Sequence, residues 1–138
     1  MRNLRNLSGR YKRGQALVEF SLIAAPALML IFALMNCALA VFDYNFVSFA
    51  AREATRYAAV RGSSSGSAAS TTDIRNFVVA QAIGLDTSKI TVSTTWSPDN
   101  KPGSAVQVQV KYPFSFAIPF INLSSVNLSS TSQLVITQ

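Results

Sequence analysis

The sequence contains no histidine and a single cysteine, Cys37. A metal site of the usual His/Cys kind cannot be assembled from these residues, and the lone thiol has no partner for an intrachain disulfide. Serines are frequent, but there is no His to activate one and no Lys at a recognisable nucleophile spacing. No pair of carboxylates has a catalytic spacing, and no glycine-rich phosphate loop is present. These absences argue against an enzyme and predict no cofactor, no metal and no catalytic residues.

Positive charge is unevenly spread along the chain. The formal net charge is +6, and five cations precede Gly14 with no acid among them: Arg2, Arg5, Arg10, Lys12 and Arg13. From Gln15 onward, seven cations stand against six acids. Because the excess lies on a leader and not on a folded face, nucleic acid is a poor candidate partner. The basic leader is better interpreted as a topology signal that holds the N-terminus in the cytoplasm.

A long apolar run follows the leader. Residues 20–42 are apolar apart from Ser21 and Asn36. As a helix, this run would be roughly 34 Å long, enough to cross a bilayer core. Residues 43–61 contain no Gly or Pro and keep a helical spacing of apolar side chains, so the helix is predicted to continue to Arg61. The sequence therefore predicts a membrane-spanning and stem helix about 70 Å long.

A secretory signal peptide is the competing interpretation of this start. Ala38-Leu39-Ala40 resembles an A-x-A signal-peptidase site. The uninterrupted apolar run is longer than the usual apolar region of a signal peptide, and the carboxylate Glu19 opens it. Cleavage after Ala40 is therefore disfavoured.

The remainder of the chain is predicted to form a linker and a small domain of mixed α and β structure, called the head. Gly62–Ser67 is composed only of Gly and Ser and is predicted to be a flexible linker. A helix is predicted over Ile74–Ile83, capped by Thr72 or Asp73 and stopped by Gly84. Alternating residues predict strands over 90–96 and 106–112, and a weaker last strand runs through Leu134 and Ile136. The aromatic residues near Phe114–Phe120 are predicted to serve the core.

The predicted fold class is α+β: a long N-terminal transmembrane and stem helix, then a small head with a short helix and a three-stranded antiparallel sheet. The apolar face of that sheet needs a cover, and the alanine-rich stem helix and the short helix are available to provide it. The expected division is a basic leader peptide at 1–14, the transmembrane and stem helix at 15–61, a Ser/Gly linker at 62–72 and an extracytoplasmic head at 73–138.

Three features of the first sixty residues carry a family resemblance. Gly14 is followed five residues later by Glu19 and a hydrophobic helix, which resembles the prepilin-peptidase site of type IV pilin-like proteins. Leu17-Val18-Glu19-Phe20, Pro26 in the apolar run, and the segment Ala50–Ala58 together resemble the TadE-like family of tight-adherence pilus proteins. The resemblance implies a minor pseudopilin of the bacterial cytoplasmic membrane, with its N-terminus inside and its head outside, that is incorporated into or assembles a pilus.

The same resemblance assigns roles and partners. It implies cleavage between Gly14 and Gln15 by a prepilin peptidase, and an assembly role for the Glu19 carboxylate, which would neutralise the new α-amine of Gln15 in its own or a neighbouring subunit. The implied partners are the membrane, the peptidase, other pilin-like subunits and the assembly machinery. Snorkelling of Glu19 to the headgroups is the simpler alternative.

Two other functions remain open from the sequence. The chain could be an uncleaved, single-pass anchored binding module, or a soluble secreted protein cut after Ala40. The first residue of the mature chain separates the three: Gln15 for the pseudopilin, Met1 for the anchored module and Val41 for the secreted protein.

Overall fold

The computed structural model describes residues 5–118 and 123–137, with side chains from Gly14 onward. Helix α1 covers Arg5–Ala59 and helix α2 covers Thr71–Ala80. A 3-10 turn at Thr87–Lys89 leads into three strands: β1 (Thr91–Ser97), β2 (Ala105–Phe114) and β3 (Val126–Val135). The predicted α+β class, with one long helix, one short helix and a three-stranded antiparallel sheet, is confirmed.

Helix α1 has two halves with different surroundings. Its 55 residues make a rod of about 80 Å, with Pro26 inside it. From Gly14 to Met35 no side chain is buried. From Asn36 onward one face is buried against the head, and its buried residues are Asn36, Val47, Ala50, Ala51, Ala54, Thr55, Ala58 and Ala59. Cys37 is exposed, so its thiol does not pack inside this chain.

The sheet has the order β1-β2-β3, with both pairs antiparallel. Strand β2 is central, and Val106, Val108 and Val110 point inward and are fully buried. Opposite Val108 and Val110, strand β3 places Ser132 and Ser130, which are half-buried. Short side chains at these positions let the alanine face of α1 come close to the sheet.

Both predicted covers of the sheet are present. One core joins the alanine face of α1, Ile74 and Val78 of α2, and the inward valines of β2. The Oγ1 atom of Thr55 donates to the carbonyl of Ser132 at 3.3 Å, which fixes the register of α1 along β3. At the far end, the backbone N–H of Thr137 donates to the carbonyl of Ala59 at 3.0 Å. Strand β3 therefore runs in the same direction as the second half of α1.

Helix α2 lies three residues earlier than the predicted Ile74–Ile83. Its N-cap is Ser70, whose Oγ accepts from the Asp73 N–H, while the Asp73 carboxylate accepts from the Ser70 N–H and Oγ. The hydrogen bonds from the Ser70 side chain and backbone lower the pKa of Asp73. The helix ends at Ala80 and not at the predicted Ile83, whose side chain is 81% exposed. The capping box, which satisfies two free N–H groups, sets the start.

The Gly/Ser segment after α1 contacts the rest of the protein. The N–H of Ser63 donates to the carbonyl of Asn100 at 2.8 Å. The N–H of Ala69 donates to the carbonyl of Arg61 at 2.9 Å. Gly62 and Ala69 are buried. Composition predicted a flexible linker here, but these bonds hold the segment against the head. The boundary of a separate head at residue 73 stays a prediction.

The connection from β2 to β3 leaves the sheet at the C-terminal end of β2, beside α1. Phe114 is buried, as the core prediction requires, and its ring meets that of Phe116 edge-on with centroids 5.0 Å apart. Pro119 and Phe120, which the sequence placed in the same aromatic stretch, lie outside the described residues. Strand β3 begins at Val126, well before the predicted last strand at Leu134 and Ile136.

Candidate functional site

Gly14 lies in the exposed half of α1, at a position where the fold does not require glycine. A Cβ atom built on Gly14 would have no atom within 4 Å. Inside a helix, glycine destabilises by about 1 kcal/mol relative to alanine. Neither packing within the described part of the chain nor a helical backbone therefore requires glycine here.

Glu19 is one turn further along the same helix. Its Oε1 accepts a hydrogen bond from Nε2 of Gln15 at 3.2 Å, and both side chains are exposed. The i,i+4 spacing places the two residues on one face, so Gln15 and Glu19 are neighbours before any cleavage. The other polar residue near this end, Ser21, is satisfied within its own helix by a 2.8 Å bond to the carbonyl of Leu17.

The predicted topology signal falls on residues whose side chains the structure does not describe. Arg2 lies outside the described residues. Arg5, Arg10, Lys12 and Arg13 belong to α1 by their backbone, but their side chains also lie outside the described set. The orientation that these cations imply stays a prediction.

From Phe20 to Met35, α1 presents an exposed surface that is apolar apart from Ser21. Leu17, Phe20 and Leu22 are 67%, 69% and 76% exposed, and the same holds for nearly every large side chain up to Met35. Contiguous apolar surface on this scale is unusual for a protein in water and marks a membrane or protein contact. Among the described residues, α1 is the one helix long and apolar enough to cross a membrane. This half of the helix fits a single-pass membrane anchor.

The comparisons with known proteins address the same segment. Residues 14–56 match the model of the TadE-like protein family. The match begins at Gly14 and ends inside the alanine-rich face, so the resemblance stated from the sequence is confirmed over these residues. The model covers 43 of the 138 residues, so it shows what this segment is similar to. Comparison with curated proteins and with solved structures gives no significant match.

Asn36 is a buried polar residue whose contacts the sequence did not predict. It lies in the apolar run, yet it is only 5% exposed. Its Nδ2 donates to the carbonyls of Phe32 at 2.8 Å and Ala117 at 3.2 Å, and its Oδ1 accepts from the Ala117 N–H at 2.8 Å. This amide ties the β2–β3 connection to the helix. The one sequence signal was an asparagine interrupting an apolar run.

Two carboxylates of the head, those of Asp86 and Asp99, accept hydrogen bonds within turns. Asp86 accepts from Ser88, and Asp99 accepts from Ser104 and from the Lys101 N–H. The hydrogen bonds from these serines lower the pKa of both acids. In the described part of the chain, no three His, Cys, Asp or Glu residues are grouped to hold a metal ion.

Proposed function

We propose that this protein is a minor pseudopilin of a tight-adherence pilus, made as a precursor and cut by a prepilin peptidase between Gly14 and Gln15. The observation that carries the proposal is the family match over residues 14–56, which begins at the glycine. The head would lie outside the bacterial cytoplasmic membrane and the basic leader inside, as the excess of cations before Gly14 indicates.

The surroundings of Gly14 support a processing role. A peptidase acting at the membrane face needs access to the scissile bond, and Gly14 has open space around it. Because a side chain at this position would meet nothing within the chain, its effect on processing can be measured without a change in the fold.

The exposed position of Glu19 supports an assembly role. After cleavage, the α-amine of Gln15 would be a cation one helical turn from the carboxylate. An ionised group at the edge of an apolar segment costs free energy, which an opposite charge offsets. Either the α-amine of the same subunit or that of a neighbouring subunit would provide this charge. Pairing between subunits would set their axial offset in the pilus.

N-terminal sequencing of the membrane-bound product tests the proposal. The wild-type chain is expected to begin at Gln15 and to be lighter than the precursor by about 1.5 kDa, the mass of fourteen residues. Gly14→Leu should remain uncut, because the added side chain obstructs the scissile bond. Gly9→Leu, the same change at the other glycine of the leader, is the matched control and should be cut normally.

The other outcomes have definite meanings. A mature chain that begins at Met1 would support an uncleaved anchored module, and one that begins at Val41 a secreted protein. Normal processing of Gly14→Leu would overturn the cleavage assignment.

A further inference from the structure

Both edge strands of the sheet lack the features that usually prevent an edge from pairing with another chain. Natural edges are protected by charged side chains, proline, bulges or short length. Strand β3 runs for ten residues, Val126–Val135, without charge or proline, and its pairing with β2 contains no bulge. Strand β1, Thr91–Ser97, is likewise uncharged, free of proline and paired without a bulge. Each edge of this sheet therefore has the character of a docking edge for a further strand.

The backbone of β3 presents a regular row of hydrogen-bonding groups on the side away from β2. Just past the strand, the N–H of Ile136 donates to the carbonyl of Ser104 at 2.8 Å, so Ile136 faces β2. Because successive residues of a strand face opposite edges, the even-numbered residues of β3 face β2 and the odd-numbered residues face outward. Pro113, which has no N–H, lies opposite the odd-numbered Asn127, which agrees with this alternation. In the described part of the chain, no hydrogen bond reaches the outward backbone groups, which belong to Asn127, Ser129, Thr131, Gln133 and Val135.

Strand β1 has the complementary backbone pattern. Ser93 and Thr131 pair with Gln109 from opposite sides, so the two residues lie at the same level of the sheet. By the alternation above, the backbone of Ser93 faces β2 and that of Thr131 faces outward. In a parallel pair, a residue whose backbone faces the partner lies opposite one whose backbone faces away. Ser93 and Thr131 are both exposed, on the face of the sheet away from the helices, so they fit opposite each other in two neighbouring copies.

The orientation of α1 determines which edge can pair with β3. Strands β1 and β3 are both antiparallel to β2 and therefore run in the same direction. Strand β3 also follows the direction of the second half of α1, as the bonds from Thr55 to Ser132 and from Thr137 to Ala59 require. Antiparallel pairing of β3 with β3 would point two α1 helices in opposite directions, which two copies anchored in one membrane cannot adopt. Pairing of β3 with β1 keeps both helices parallel and on the same face of the joined sheet.

We propose that β3 of one subunit pairs in parallel with β1 of a second copy of this chain, so that the sheets of neighbouring heads become continuous. Addition of a strand to an open edge is a common mode of protein recognition. The two copies use different edges, so each subunit can bind one neighbour on either side and the contact repeats into a ring or a filament. This inference rests on the proposed function only for the shared orientation of the anchored subunits. It adds a backbone contact between heads to the pairing proposed for Glu19.

Disulfide trapping between copies tests the pairing. Ser93→Cys and Thr131→Cys are combined with Cys37→Ser, and the full-length protein is reconstituted in phosphatidylcholine vesicles and oxidised. Within one chain the two positions are two strand spacings apart, about 10 Å, which is too far for a disulfide. Between paired copies at one height they would lie on adjacent strands, about 5 Å apart. We expect a ladder of dimers, trimers and larger covalent multimers on a non-reducing gel.

Matched variants establish the register and the background. Ser93→Cys combined with Ser129→Cys or with Gln133→Cys covers an offset of two residues in either direction. Ser93→Cys combined with Asn76→Cys has the same number of thiols, but Asn76 is exposed on α2, and this pair measures random collision. Multimers should be about tenfold or more abundant for one of the edge pairs than for this control, because pairing holds the thiols at a high effective concentration.

A backbone substitution tests whether the contact is a strand pair. In the Ser93→Cys, Thr131→Cys protein, Ser129→Pro removes one outward N–H of β3, a position at which an edge strand tolerates proline. Ser129→Ala keeps this N–H and is the matched control. We expect the ladder to be lost in Ser129→Pro and kept in Ser129→Ala, while thermal melting shows that the head remains folded. Equal ladders in the two variants would overturn a backbone pairing.

Vesicle flotation separates this inference from the anchor on which it rests. A protein that floats with vesicles but forms multimers only at the level of the collision control keeps its anchor and overturns the paired edges. A strong dimer of Thr131→Cys alone, without a ladder in any edge pair, would show that β3 meets β3 and would also overturn them. A protein that does not float overturns the anchor and this inference together. The first residue of the mature chain tests the cleavage independently of all these results.

Discussion

The contact between Asn36 and Ala117 can be tested by Asn36→Leu. Leucine has the same number of side-chain heavy atoms as asparagine, also branched at Cγ, and it favours a helix, so α1 should be retained. The substitution removes three hydrogen bonds of the Asn36 amide, one to Phe32 and two to Ala117. Phe32 keeps its place in the helix, whereas the N–H and carbonyl of Ala117 lose their described partner.

The expected cost follows from the hydrogen bonds that Ala117 loses. Since Ala117 is exposed, water can replace its partner, and the net value of a hydrogen bond applies, about 0.5–1.5 kcal/mol. Because the loop between β2 and β3 can relax away from the helix, the total should be close to one such bond and not two. Release of the loop would then be favoured by roughly 2- to 13-fold over the wild type.

Hydrogen exchange of the Ala117 amide, measured on the full-length protein in micelles, reports this opening directly. Exchange should accelerate by that factor in Asn36→Leu. Asn45→Leu is the matched control, since Asn45 is an exposed residue of the same helix. Equal protection of Ala117 in Asn36→Leu and the wild type would refute the argument that this amide holds the loop.

The remaining predictions concern assembly, packing and orientation. Glu19→Gln should insert and be cut after Gly14 but fail to enter the pilus, because it cannot pair with an α-amine; normal assembly, scored by pilus recovery, would leave snorkelling as the explanation. Ala54→Leu overfills the fully buried contact between α1 and the sheet, and should cost about 1–3 kcal/mol and lower the Tm by roughly 5–20 °C. The same change at exposed Ala80 is its control, and equal melting of the two variants would contradict the packing. A reporter fused after Gln138 should be active only outside the cytoplasm; cytoplasmic activity would reverse the orientation.

Local patterns in the sequence were sufficient to predict the main helices and strands and how they pack in layers. The apolar run and the absence of Gly and Pro up to Arg61 predicted the long helix, and the alternation of Val106, Val108 and Val110 predicted the buried face of β2. The small side chains of Ala50, Ala54 and Ala58 predicted which helix would cover that face. Each of these depends on residues close in sequence, whose periodicity directly reflects the side that is buried.

The family resemblance was also available from the sequence, because Gly14, Glu19 and the segment after Ala50 are short motifs with fixed spacing. Their roles in processing and assembly depend on other molecules, and stay predictions. The structure adds that Gly14 has open space around it and that Glu19 is exposed beside Gln15.

Only the tertiary structure decided how the head sits on its helix. Asn36 and Ala117 are 81 residues apart, and nothing in the local pattern of either predicts that they meet. The same holds for the bond from Ser63 to Asn100, which holds a segment that composition alone described as a flexible linker. Such contacts depend on where the folded sheet places its loops along α1. The loop's polar backbone must find a partner at that level, and Asn36 supplies it from within the apolar run.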